Sequence, residues 1–360
     1  MSDSAADFTV RRTIKYLSPS SVQQFYKDRE EFYLMRISPI PPPKYPQTKP
    51  MAVGSAFDAF VKNYLVRCLH GSVPPEFELD TLIETQVEEH NRPWAREHGY
   101  HVFTQYKYSG ALARIMLELQ AASSTPRFEF TVEKRVAHEA DPIGVPLLGK
   151  PDVFFRSRGG APVILDWKVN GYCSKNPTSA RTGYVHYLDG WDHSKRPASK
   201  NHGQSHRSCY ASTVDGLVIN LGAPLENVYE DWARQLSIYL WVLGEPIGSQ
   251  AIVGIDQLLG QAAAGQSADL ITDHQSINPP DIGIAQHRCR ISVAYQRQWM
   301  ALIAGAWACI SSGHIFDDLT RADSDAKCSM LDDQWQAFAE KLPADNKNQE
   351  WYNRIMGRSN

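Results

Sequence analysis

Glu133, Asp152, Asp166 and Lys168 are the side chains on which a reaction could be built. Each acid interrupts a run rich in Val, Ile, Leu and Phe: Phe128–Val136, Val145–Phe155 and Pro162–Val169. Apolar runs of this length, bounded by turn-forming residues, predict strands. A buried strand accepts a carboxylate only with a partner, because desolvating a lone charge is costly. Three carboxylates on adjoining strands repel one another unless a cation sits among them. Hard divalent ions, Mg²⁺ or Mn²⁺, take oxygen ligands and suit such a cluster. Side chains alternate along a strand, so Asp166 and Lys168 share one face and Trp167 points to the other. The charged face is then the active one. Trp167 anchors the strand in the core, and its backbone carbonyl offers one more oxygen ligand. Lys168, beside a water held by the ion, could orient that water, keep it deprotonated or stabilise charge on a phosphate.

The framework that holds these groups follows from periodicity and punctuation. Arg156–Ala161 is a turn, so the second and third runs form a hairpin. Upstream, Ser18-Pro19 opens a helix expected to run on through Phe25, Phe32 and Leu34. Ile40–Pro50 is proline-rich and extended, and a second helix runs from Ala52 to about Leu69. Gly54 in it permits close approach of helix to sheet. Asp58 has two readings, an accessory acid at the metal site or a surface or capping acid. Asp80–Gly99 reads as one solvated acidic helix, and Ala111–Ala122 as a further helix. Downstream, Val214–Leu221, Ala251–Leu258 and Ile284–Val293 read as strands. Glu226–Leu243, Tyr295–Gly313 and Leu331–Leu342 read as helices, with Cys309 a core thiol on the second of these.

Pro151-Asp152 followed by Asp166-Trp167-Lys168 resembles the two motif halves of the PD-(D/E)XK nuclease superfamily, with Glu133 near its upstream acidic position. Gln235 and Tyr239, four apart on one helix face, are similar to the Gln-x-x-x-Tyr motif of the RecB-type, exonuclease-like branch. The opening helix at Ser18 and Gly54-Ser55-Ala56-Phe57-Asp58 resemble further elements of that branch. Asp58 stands where the branch carries a histidine, and Lys27 and Asp28 stand where its iron–sulphur members carry a cysteine. The resemblance spans roughly Leu17 to Leu243. It implies an α/β fold, a mixed central β-sheet flanked by helices with a restriction-endonuclease-like core. It implies one or two Mg²⁺ or Mn²⁺ ions at Glu133, Asp152, Asp166 and the Trp167 carbonyl, DNA contacts from Gln235 and Tyr239, and no iron–sulphur cluster. It also implies work at DNA ends in recombination or repair, in cells or in phage, beside a recombination or replication protein partner.

Composition bounds the rest. At 42% hydrophobic and 21% charged residues, the chain is an ordinary globular sequence, and no apolar run is long enough to cross a membrane. Met1–Arg12 has no apolar h-region, so a secretory signal is not expected and the cytoplasm, or a host's cytoplasm for a phage protein, is the expected compartment. Six cysteines with no CxxC pair fit reduced thiols. The net charge of −3 supplies no global field for nucleic acid, so DNA must be gripped locally. A basic stretch lies at 171–210, with Lys175, Arg181, Lys195, Arg196, Lys200 and Arg207, and it reads as an insertion that either grips phosphates or is a solvated surface loop. His202, His206, Cys209 and Cys173 lack regular zinc spacing. We therefore expect a single nuclease domain. Helices at 17–125 precede a catalytic core at 126–170 and 211–320, interrupted by the insertion, and a helix and tail follow at 321–360. The expected activity is metal-dependent DNA hydrolysis, most simply by an exonuclease. The alternatives are a structure-specific endonuclease, a non-catalytic DNA-binding or assembly module on the same fold, or action on RNA.

Overall fold

Local chemistry shapes the first helices. The Ser18 hydroxyl accepts from the Ser21 backbone, the Ser21 hydroxyl accepts from Ser18, and Pro19 fills the first turn of α1 (Pro19–Lys27). The expected single helix through Leu34 is broken at Asp28. Asp28 is extended (φ −155°, ψ 99°), closes α1 through its backbone, and opens α2 (Arg29–Arg36) by accepting the Glu31 N–H on its side chain. Hydrophobic periodicity passes through such a double cap unchanged.

The computed structural model describes residues 11–138, 141–170, 172, 212–214, 217–225, 230–261 and 281–341. The basic stretch 171–210 lies outside them except for Tyr172, so Lys175, Arg181, Lys195, Arg196, Lys200 and Arg207 are not placed. α3 (Lys49–His70) crosses α5 (Arg92–Tyr108) closely, because a Cβ on Gly99 would lie 2.6 Å from the Ala56 Cβ. The stretch expected as one solvated helix is instead α4 (Leu79–Gln86), a short 3-10 turn at Glu89–Asn91, and the start of α5, with Pro93 in its first turn. Leu82, Ile83, Trp94 and Ala95 are buried, so each piece is amphipathic. α6 (Ala111–Gln120) completes this layer.

The strand runs are cut twice. Phe128–Val136 divides at Glu129, whose φ of 41° lies in the left-handed region that non-glycine residues disfavour. β1 (Arg127–Phe128) joins the main sheet, whereas β2 (Val132–His138) pairs with β3 (Asp141–Gly149) in a separate ribbon. Val145–Phe155 divides at Lys150-Pro151-Asp152, where proline has no N–H for a ladder. β4 (Val153–Arg156) and β5 (Pro162–Asn170) form the expected hairpin, its turn closed by Ser157 N–H to Ala161 O at 2.8 Å. β6 (Ser212–Val214), β7 (Leu217–Leu225), β8 (Ile252–Gln261) and β9 (Asp281–Ile291) complete a sheet of order β1-β4-β5-β8-β9-β7-β6. The β5–β8 and β7–β9 pairs are parallel and the others antiparallel, so the sheet is mixed.

Helices cover both faces. α3, α5 and α6 bury Val153, Phe155, Val163, Leu165 and Trp167 from one face. On the other, α7 (Glu230–Val242) and α8 (Val293–Ser312) pack with the β2–β3 ribbon over Phe154, Ile164, Val253 and Ile255. The fold is α/β with a mixed sheet between helices. The last helix begins earlier than periodicity suggests, at Arg321, because Thr320 caps it from the Asp323 N–H; this α9 runs to Ala339. Cys309 is half-buried with its thiol on Asp317, and Cys328 is the buried thiol instead. Among the described residues no helix is long and apolar enough to cross a membrane.

Candidate functional site

β4 begins at Val153, opposite Leu165, but β5 runs on to Asn170. Among the described residues, the edge of β5 on the β4 side is therefore without a strand partner at Asp166–Lys168. Asp152, one residue before β4, fills it, and its Oδ2 accepts the Trp167 backbone N–H at 3.1 Å. The N–H and C=O of one strand residue leave the strand on the same side, so the Trp167 carbonyl faces this open edge too. Asp166 is only 3% exposed. Its Oδ1 accepts from Gln235 Nε2 at 3.2 Å, and its Oδ2 pairs with the Lys168 ammonium without a well-formed hydrogen bond. Lys168 Nζ donates to Gln235 Oε1 at 3.0 Å, and Gln235 Nε2 also reaches the Tyr239 hydroxyl at 2.9 Å.

Gln235 and Tyr239 lie one turn apart on α7, as their spacing predicts. Gly149 on β3 permits this seating. A Cβ there would lie 2.7 Å from Val242 Cγ2 and 3.0 Å from Tyr239 Cδ1. Gly54 has no such role, since an added Cβ would meet only Val169, at an ordinary 4.0 Å.

α3 approaches from the opposite layer and brings Asp58 and Lys62 to the end of β4. Lys62 Nζ lies 2.6 Å from Asp58 Oδ2, 3.1 Å from Glu129 Oε2 and 3.4 Å from Asp152 Oδ1. Glu129 also accepts from Gln86 Nε2 at 2.7 Å and pairs with Lys150. Asp58 Oδ1 is buried with no hydrogen-bond partner among the described residues. A cleft of about 450 Å³ holds these groups, and a neighbouring cavity of about 550 Å³ shares Lys150, Gln235 and Tyr239 with it.

Burial acts on each acid differently. It pushes Asp58 up to about 7 against the pull of Lys62, and Asp166 up to about 7 against Lys168. Burial pushes Asp152 the same way, but Lys62 and Lys168 together outweigh it and hold it below the usual carboxylate range. Burial, with Asp166 nearby, keeps the Tyr239 phenol protonated well beyond its usual range. Desolvation would lower Lys62, but Asp58, Asp152 and Glu129 outweigh it and raise it.

Of the expected site residues, the structure brings together Asp152, Asp166, Trp167, Lys168, Gln235, Tyr239 and Asp58. It does not bring in Glu133. That residue is exposed on β2, opposite Leu148 in the separate ribbon, with its carboxylate on the Tyr16 hydroxyl. The upstream acid in the cleft is Glu129, because the left-handed break there turns the chain out of the main sheet before Glu133 is reached. Lys62 is a further site residue that the sequence motifs do not mark. Its only signal is the i, i+4 spacing to Asp58 on a strong helix pattern.

Among the described residues, no three acidic, His or Cys side chains are gathered so that they could hold a metal ion by themselves. Lys62 and Lys168 stand between them. The donors still fit Mg²⁺ or Mn²⁺: Mg²⁺ is held by one or two carboxylates and completes its shell with water and substrate phosphate. Asp152 and Asp166, with the Trp167 carbonyl, are such a set, and Asp166 Oδ2 is incompletely satisfied.

Trp167 itself points away, 7% exposed, with Nε1 3.4 Å from the Tyr106 hydroxyl. Tyr106 donates to Asp256, which also takes Gln286 Nε2 at 2.7 Å and Arg288 Nη1 at 2.8 Å. Arg288 is held in turn by Glu118, so the core of this second polar group is buried under α5 and α6 with Glu118 at its rim. In comparisons with known proteins, no family model and no curated protein matches the sequence.

Proposed function

We propose that this protein is a metal-dependent deoxyribonuclease, an exonuclease that hydrolyses phosphodiester bonds at DNA ends in recombination or repair. The observation that carries the reading is Asp152 on the open edge of β5 beside Asp166 and Lys168. Two carboxylates and the stretch of β5 that runs beyond β4 meet a lysine in one cleft. Asp152, Asp166 and the Trp167 carbonyl would hold Mg²⁺ or Mn²⁺. When bound, the ion supplies an activated water and neutralises phosphate charge.

The chain's own residues do the rest. Lys168 holds its ammonium beside Asp166, where it orients the attacking water and counters charge building on the phosphate. Gln235 fixes both Asp166 and Lys168, so the pair keeps one geometry. The Tyr239 hydroxyl accepts from Gln235, which leaves its own proton for a phosphate oxygen. The neighbouring cavity offers Ser18, Ser20, Trp232 and Arg234 to the strand that enters. No sequence-reading module accompanies the site among the described residues, and a threaded free end needs none.

The test sets linear duplex beside relaxed closed circles, with Mg²⁺, with Mn²⁺ and with EDTA. Loss of the linear form alone, in metal only, is expected. Equal loss of both, or discrete bands from circles, would favour a structure-specific endonuclease. Binding without cleavage would favour an assembly module.

A further inference from the structure

Lys62 is 1% exposed, in the middle of a helix, at a place where three separate segments each turn a carboxylate inward. Asp58 comes from α3 itself, Glu129 from the residue after β1, and Asp152 from the residue before β4. Glu129 does so from a left-handed backbone, a conformation that persists only where its surroundings enforce it. Convergence of oxygens from unrelated segments is what a cation position looks like, and here the cation is an ammonium.

The charge count supports the same reading. With every carboxylate in its ionised form, Asp58, Glu129, Asp152 and Asp166 face Lys62, Lys150 and Lys168, which leaves one net negative charge. One divalent ion turns this into one net positive charge, matched to a single phosphodiester. A second ion would leave a threefold excess of positive charge around fixed lysines in a partly desolvated cleft. Asp58 and Glu129 have also turned oxygens to Lys62, whose ammonium fills the space between them and Asp152.

We infer that Lys62 occupies the second cation position, so that the centre takes one divalent ion per chain, at Asp152 and Asp166. Lys62 is a positioning residue. It holds Asp58, Glu129 and Asp152 together as a second ion would, without exchanging with solvent. This rests on the metal-dependent reading above, and its test separates the two.

Mn²⁺ is counted on the metal-stripped full chain by titration calorimetry and by the electron paramagnetic resonance signal of free Mn²⁺. The wild type should bind one ion and Lys62→Gln two, the added one abolished by Asp58→Asn in the Lys62→Gln background. Two ions in the wild type would overturn the inference and leave the nuclease reading standing. One ion in a folded Lys62→Gln would overturn it as well, since Lys62 would then be holding the fold only. No ion in the wild type would sink the metal-dependent reading and the inference with it. If Lys62→Gln unfolds without metal, circular dichroism makes the decision: refolding on added Mn²⁺ supports the inference and failure to refold overturns it.

Discussion

The two faces of β5 both bury carboxylates against cations, yet they are built to different ends. On the Trp167 face, Asp256 is 2% exposed and both its oxygens are taken, by Tyr106, Gln286 and Arg288. Glu118 completes Arg288. In the Asp166 group, which Asp58 joins from α3 around the open edge of β5, Asp58 Oδ1 has no hydrogen-bond partner among the described residues, Asp166 Oδ2 is poorly served, and the group opens to a cleft. A fully satisfied buried network adds rigidity, whereas a half-satisfied one costs stability that packing elsewhere must offset. Acids that serve the fold are thereby set apart from acids that serve a ligand. Burial and charge alone do not separate them, since Asp166 and Asp256 are almost equally enclosed. The count of satisfied oxygens and the presence of a cleft do.

The strongest effects should fall on opposite properties for the two faces. Asp152→Ala or Asp166→Ala should abolish DNA cleavage and leave the thermal transition within a few degrees of wild type. For Asp166→Ala, loss of a carboxylate disfavoured by burial and by the neighbouring Asp152 should raise the transition of the metal-free protein. Asp256→Ala should do the reverse and destabilise by about 3–5 kcal/mol, the scale for removing one partner of a buried ion pair. Cleavage assays and thermal melts on the three variants check it. A stable Asp256→Ala, or an active Asp166→Ala, would erase the distinction between the faces.

Lys168→Ala comes next. It should bind Mn²⁺ as wild type does and lose about a hundredfold in cleavage rate, the scale for one electrostatic contact to developing charge. Calorimetry with single-turnover kinetics measures both. Lost affinity with an unchanged rate at saturating metal would reassign the lysine to ion binding. Gln235→Ala should act in the same sense but less, slowing cleavage of linear DNA by roughly tenfold, as expected for hydrogen bonds to charged groups, with metal affinity nearly kept.

The weakest effect concerns pH. Asp58 and Asp166 are raised from 3.8 to about 7 in the folded protein. The native state therefore holds protons that the unfolded chain releases, and that contribution to stability is present at low pH and lost as pH rises through about 7. Asp152 is shifted the other way and acts only below its usual range. In EDTA, the thermal transition should fall by a few degrees between pH 5 and pH 8, and the Asp58→Asn/Asp166→Asn protein should lack that fall. An identical slope in both would place the titrating groups elsewhere.

Much of the site is legible in the sequence. Strand alternation alone sets Asp166 and Lys168 on one face with Trp167 on the other. The glycine-rich turn at Ser157–Ala161 makes the hairpin that brings Asp152 near Asp166, and a spacing of four places Gln235 with Tyr239. These are consequences of backbone repeat, which is a local property. Glu129 and Lys62 are not legible in the same way. Both runs around Glu129 favour strand locally, and the left-handed break appears only because β1 must pair with β4 while β2 crosses to the ribbon with β3. Lys62 shows in sequence as an ordinary helical lysine four residues from an acid. Its burial is decided by α3 docking over the end of β4, where Glu129 and Asp152 arrive from segments 67 and 90 residues away along the chain. Periodicity has no reach over such separations. Which carboxylates share a cation depends on how helices, sheet and ribbon pack, and that is settled by the whole core at once.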